Sequence, residues 1–130
     1  MYYIKDANVN TPNSIQLWIK TKETLPDDPQ VHNSVLAYIS DMGLLHSTLV
    51  PHDLHHTINK GQERKVIMAS IDHAIWFHRP FRADEWFFYD CNAVSTGGGR
   101  GLARGALYCA DGTLFASTAQ EGLLRIPRAK

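Results

Sequence analysis

The chain has 130 residues, 44% of them hydrophobic and 20% charged, the size and composition of one globular domain, which excludes a second catalytic domain and a disordered chain. Thirteen Lys and Arg balance thirteen Asp and Glu, so no basic footprint for nucleic acid or an anionic membrane is expected, and an anionic ligand must be met by a few local cations. The apolar runs Ala74–Phe77 and Trp86–Tyr89 are far shorter than the ~20 residues of a membrane span, Met1–Lys5 has no leader pattern, and Cys91 and Cys109 lack metal spacing, so a soluble, cytoplasmic protein is expected.

In chain order, the first ten or so residues, through Asn10–Asn13, read as an irregular lead-in. Ser14–Thr21 alternates apolar and polar side chains with β-branched and aromatic enrichment, the signature of a half-buried strand. Asp28 followed by Pro29 forms an N-cap and first-turn pair. Val31, Val35, Tyr38, Met42 and Leu45 then recur at helical spacing, which predicts one helix of about 16–20 residues. Pro51–Glu63 turns polar and rich in histidine and reads as a loop; His52, His55 and His56 have a metal-like spacing there, but a solvated loop is the simpler reading. Lys65–Phe77 reads as one β-rich stretch with Met68, Ser70 and Asp72 on one face and Ile67, Ala69 and Ile71 on the other.

Glu85–Val94, Gly101–Cys109 and Thr113–Ile126 are expected to be three further strands, separated by Gly97–Gly99 and by Asp111–Gly112. The Asp-Gly pair is a hairpin signal, so the last two strands should pair antiparallel. A strand, a long apolar helix and four strands make an α+β pattern in which the helix finds its cover on a curled antiparallel sheet. That arrangement is the hot-dog fold, here expected as a single domain over residues 1–130.

Three polar residues require a reason. Asp41 has Ala37, Tyr38, Leu44 and Leu45 as helical neighbours, so its carboxylate emerges beside the apolar stripe, where it must be hydrogen-bonded, functional, or a cap for the following segment. Ser70 lies mid-strand among apolar residues, and its hydroxyl needs either a backbone carbonyl or a functional partner. Gln120 shares a strand face with Leu114, Ala116 and Thr118 and alone would pass for an edge residue. Strand alternation sends Asp72 and His73 to opposite faces, which argues against their acting as a pair. Gly97–Gly101 precedes a strand and lacks the Lys-Ser/Thr of a phosphate loop, so it reads as a tight turn. Arg100 and Arg104 are the cations closest to it. Trp76, Phe77, Phe81, Trp86 and Phe87 read as core and interface residues.

Several segments carry a family resemblance. Leu17–Lys20, Leu25–Asp28 with His32, Tyr38–Asp41, Ser70–Phe81, Asp84–Trp86, Arg100–Gly105, Asp111–Gly112 and Gln120–Arg125 together resemble the carboxy-terminal half of the type II acyl-CoA thioesterases, from about residue 14 to 126. The resemblance implies a hot-dog fold and hydrolysis of fatty acyl-CoA to free acid and coenzyme A, with no cofactor and no metal. In that family an Asp on the helix, a Thr or Ser two residues before an Asp-His pair, and the Gln of a Gln-Glu-Gly segment position the attacking water. The matching residues are Asp41, Ser70 and Gln120. Asp41 would be the general base, with Ser70 and Gln120 orienting the water; Ser70 sits in no Gly-x-Ser-x-Gly elbow, so a serine-nucleophile mechanism is disfavoured. Backbone amides near Gly43 are a candidate oxyanion hole, and Arg100 and Arg104 are candidates to meet the coenzyme A phosphates.

Members of the family usually carry two fused hot-dog halves. The expected partners are therefore acyl-CoA and either a second copy, in a homodimer or higher homo-oligomer, or a missing second half, with neither nucleic acid nor membrane. The alternative is a non-catalytic acyl-CoA-binding or assembly domain that needs its partner half. Arg128–Lys130 does not match the S-K-L peroxisomal address of some relatives, which keeps the cytoplasm as the expected compartment.

Overall fold

The computed structural model describes residues 1–6, 13–54 and 66–128. Its elements are β1 (Tyr2–Asp6), β2 (Ser14–Thr21), α1 (Pro29–Ile39), a 3-10 segment (Leu45–His52), β3 (Ile67–Ser70), β4 (Ala74–Phe77), β5 (Phe87–Gly97), β6 (Arg100–Cys109) and β7 (Leu114–Arg125). The strands form one antiparallel sheet in the order β1-β2-β5-β6-β7-β3, with β4 also on β7. This is the α+β, hot-dog arrangement expected from the pattern. Phe87, Tyr89 and Cys91 of β5, Ala103 and Leu107 of β6, and Phe115 and Ala116 of β7 close on Leu36 and Ile39 of α1. Each large apolar side chain so buried contributes about 1.5–3 kcal/mol. Among the described residues no helix is long and apolar enough to cross a membrane.

The hairpins follow their turn chemistry. Gly98 and Gly99 take φ values of 60° and 72° between β5 and β6, a left-handed pair that only glycine adopts without strain. At the Asp-Gly turn, the Gly112 N–H donates to the Cys109 carbonyl at 2.9 Å and β6 pairs with β7 as expected.

Three expectations are corrected. Tyr2–Asp6 is a strand, paired antiparallel with β2 from Tyr2 opposite Thr21 onward. It lies at the sheet edge with Tyr3, Ile4 and Lys5 exposed, so it carries no half-buried alternation, and its pairing comes from a distant partner. The helix is shorter than its periodicity: α1 has 11 residues and stops at Ile39, with the Ser40 N–H on the Leu36 carbonyl and Gly43 turned to φ 76°. Met42 and Leu45 therefore fall beyond it, and Tyr38, assigned to the apolar stripe, is 72% exposed. The stretch from Lys65 to Phe77 is not one strand. Ser70 pairs with Gly122 and Ala74 with Ala119, so four steps along this chain answer three along β7. The extra residue is a bulge, in which the N–H groups of Ile71 and Asp72 both reach the Glu121 carbonyl, at 2.8 and 3.3 Å.

The aromatic residues divide. Phe87 is buried and Phe81 stacks on Phe115 at 4.3 Å, while Trp76 and Phe77 are exposed on β4.

An ion-pair clamp fixes the entry to α1. Arg82 grips Asp84 through Nε and one terminal nitrogen, both at 3.0 Å, and also reaches the Leu25 carbonyl and Asp27. Asp84 in turn accepts the Leu25 N–H at 2.8 Å. The Arg82 hydrogen bonds, reinforced by that N–H, lower the Asp84 carboxyl to about 2. Because the folded state favours the ionised form, the clamp stabilises fully above the ordinary carboxylate range, and its contribution is lost as pH falls towards 2. Denaturant titrations from pH 5 to pH 2 should therefore show a steeper loss of stability for the wild type than for Asp84→Asn, the variant being the less stable of the two at pH 7.

Candidate functional site

Asp41, Ser70 and Gln120 come from three different elements and meet at one point. Asp41 follows the C-cap of α1, Ser70 ends β3, and Gln120 lies on the inner face of β7. The Gln120 carboxamide donates through Nε2 to Asp41 Oδ1 at 2.8 Å and to Ser70 Oγ at 2.5 Å. The amide orientation follows from charge, since turning it over would set its carbonyl oxygen against a carboxylate. Its Oε1 is buried and has no hydrogen-bond partner among the described residues. Gln120 is buried, whereas Asp41 and Ser70 are exposed towards an open pocket of about 510 Å³ that Tyr38, Ile71, Asp72 and His73 also line. Ser70 accepts from Gln120, so its own hydrogen is available to the pocket. The arrangement thus presents a carboxylate and a hydroxyl donor to the pocket, held together from behind by the buried Gln120 amide, a pair able to hold and polarise a water molecule.

The supports lie behind these residues. Tyr89 is fully buried, and its hydroxyl donates to the Ser40 carbonyl at 2.6 Å and pairs with Thr118 Oγ1 at 2.9 Å, tying β5 and β7 to the residue before Asp41. Burial pushes the Tyr89 phenol well above its ordinary range, so it is a permanent donor. Sequence reasoning missed Tyr89 and Ser40, because a tyrosine within Trp86–Tyr89 carries no signal beyond apolar packing. It also missed half-buried His46, whose imidazole is held below its ordinary value by burial, partly offset by the nearby Asp41 carboxylate.

The bulge overturns the argument from alternation for Asp72 and His73. Both line the same pocket. Asp72 Oδ1 accepts the Glu121 N–H at 2.8 Å, and His73 Nε2 is 2.8 Å from Ser40 Oγ.

The remaining candidates lie elsewhere. Arg100 and Arg104 are exposed and alternate with Gly101, Ala103 and Gly105, which are buried on the inner face, so they stand on the opposite face from Gln120. Arg100 is 3.6 Å from Glu121. Gly43 follows the helix end, and the Met42 N–H beside it is taken by the Ile39 carbonyl. His52 bonds Thr96 at 2.6 Å, while His55 and His56 fall outside the described residues. Among the described residues no cluster of three His, Cys, Asp or Glu side chains is placed to hold a metal ion. Burial raises both free thiols, Cys91 and Cys109, which disfavours thiolate chemistry.

Gly105 keeps the space that Tyr89 needs. A Cβ there would stand 2.3 Å from Thr118 Oγ1 and 2.5 Å from Tyr89 Cε2. Gly105→Ala should cost about 1–3 kcal/mol of stability by overpacking, whereas Gly97→Ala, with nothing within 4 Å of its Cβ, should cost little; urea denaturation of both variants checks this.

Comparison with known proteins places the chain in a family. The family model described as acyl-CoA thioesterase matches residues 6–123. Acyl-coenzyme A thioesterase 8 of Mus musculus is 39% identical over 128 residues, covering 91% of this chain and 38% of that protein. Acyl-CoA thioesterase 2 of Haemophilus influenzae is 41% identical over 108 residues, covering 83% of this chain and 36% of that protein. The crystal structure of an acyl-CoA thioesterase II from Mycobacterium marinum superposes with a TM-score of 0.81 at 39% identity, covering 98% of this chain and 49% of that one. Zebrafish thioesterase superfamily member 2, at 15% identity and a TM-score of 0.70, shares the fold over 95% of this chain and 81% of its own. The chain thus spans less than two-fifths of the curated relatives it matches and about half of the M. marinum structure.

Proposed function

The chain belongs to the acyl-CoA thioesterase family, and on that footing we propose that it hydrolyses fatty acyl-CoA thioesters to free acid and coenzyme A. The observation that carries the reading is the Gln120 amide bonded at once to Asp41 and Ser70 beside an open pocket. Asp41 takes a proton from water as the oxygen attacks the thioester carbon. The tetrahedral intermediate then collapses, the carbon–sulfur bond breaks, and the departing thiolate takes up the proton that Asp41 had accepted, which restores the carboxylate. Ser70 orients the water and Gln120 fixes Asp41 and Ser70 relative to each other, which supplies orientation rather than a covalent intermediate. No metal or cofactor enters the step. Arg100 and Arg104, exposed across the sheet from Gln120, do not touch the reacting groups.

The proposal includes a second hot-dog half. β3 and β4 lie at a sheet edge, with Ile67, Ile71, Trp76 and Phe77 exposed along and beside it. Ser70 to His73 line the pocket at this same edge. A second copy of the chain, or a covalently joined half, docked there would cover the apolar side chains and wall the pocket. The open pocket also keeps a second reading in view, an acyl-CoA-binding half that is inactive without its partner. The two free thiols accord with a reducing compartment such as the cytoplasm.

Release of free thiol from a series of short to long acyl-CoA substrates tests the reading. Asp41→Asn should lower kcat about 10²–10⁴-fold, and Ser70→Ala by about tenfold or more, both at unchanged oligomeric state. Equal turnover in wild type and Asp41→Asn would overturn the general-base assignment. Binding without turnover in the wild type would establish the binding-half reading instead.

A further inference from the structure

The bulge between β3 and β4 makes two attachments of the same kind. Asp72 fastens the N–H of Glu121, the residue after Gln120, and His73 fastens the hydroxyl of Ser40, the residue before Asp41. Ser70 stands immediately ahead of the bulge, whose backbone is held by two N–H groups on the Glu121 carbonyl. The extra residue therefore sits at a junction that touches all three elements of the candidate site: β3, β7 and the end of α1.

Ser40 is otherwise held from its own helix and from the buried Tyr89. Its N–H ends the helix on Leu36, its carbonyl accepts from Tyr89, and its hydroxyl bonds back to Ala37 at 3.2 Å. The His73 ring is the contact that reaches Ser40 from the pocket side. That ring has a cost, since His73 Nδ1 is buried with no hydrogen-bond partner among the described residues. An apolar side chain would line the pocket without leaving a ring nitrogen unpaired, so packing alone does not account for a histidine here.

We propose that Asp72 and His73 are positioning residues for the hydrolytic site, His73 setting Asp41 through Ser40 and Asp72 setting Gln120 through Glu121. The assignment rests on the reading of Asp41, Ser70 and Gln120 as the reacting constellation. Neither residue accepts or donates the proton of the reaction. Their effect is on the geometry in which Gln120 meets Asp41, and such displacements of about 1 Å cost about a hundredfold in rate.

The test combines kinetics with a readout that does not need turnover, the solvent exchange of the Gln120 side-chain amide hydrogens followed by NMR. His73→Leu should lower kcat about tenfold to a hundredfold with KM within about threefold, and should speed exchange of the Gln120 hydrogens at least about tenfold. His73→Gln, whose amide can reach the Ser40 hydroxyl, should recover slow exchange and most of kcat. If His73→Leu does not fold, Ser40→Ala removes the same contact from the other side and should speed exchange likewise. Unchanged exchange in the folded variant overturns the proposal, and so does His73→Gln behaving as His73→Leu. If the wild type proves inactive on every acyl-CoA, the hydrolase reading fails on its own, and exchange alone still decides whether His73 holds the constellation.

Discussion

One carboxamide sets the tolerance of this structure. Gln120 has two N–H groups on a single nitrogen, and it spends both inside the protein, on a carboxylate from the end of a helix and on a hydroxyl from a neighbouring strand. Hydrogen bonds of this kind weaken quickly with distance and angle. The end of α1, the end of β3 and the inner face of β7 must therefore hold a common geometry to a few tenths of an ångström. The buried Tyr89 hydroxyl, the glycine opposite it and the bulge beside Ser70 all serve that geometry from different directions. A buried polar group on an inner sheet face is costly unless bonded, so the same contacts that assemble the site also make Gln120 tolerable in the core.

What could be read from the sequence depended on whether the information was local. β2, β5, β6 and β7 appear in the alternation of their own residues, and the Asp111–Gly112 and Gly97–Gly99 turns follow from backbone preferences confined to a few positions. β1 could not be read in this way, because an exposed edge strand is defined by its partner, not by its own pattern. The helix was overextended for the converse reason: Val31 to Leu45 keeps an apolar period through Gly43, where the backbone has already turned. The bulge was invisible because alternation continues through Ile71–His73, and only the register against β7 reveals the extra residue.

The candidate site shows the same division. Asp41 and Ser70 stood out as polar residues in apolar surroundings, and the family resemblance joined Gln120 to them. The convergence of the three through one amide is a matter of tertiary geometry that no spacing expresses. Asp72 and His73 were set apart by an alternation rule that the bulge breaks, and Tyr89 by its apolar neighbours. Relatives of two or more times this length contain room for a second half, and here Ile67, Ile71, Trp76 and Phe77 stand exposed along and beside the sheet edge next to the pocket.

The most direct measurement is a crystal structure of the protein with an unreactive acyl-CoA analogue in which a methylene separates sulfur from the carbonyl carbon. The account predicts that carbonyl carbon within about 3–3.5 Å of a water molecule bonded to Asp41 and Ser70, with the acyl chain and coenzyme A leaving the pocket on either side. An analogue seated with its carbonyl away from Asp41, or with that position filled by a side chain in place of water, would contradict it.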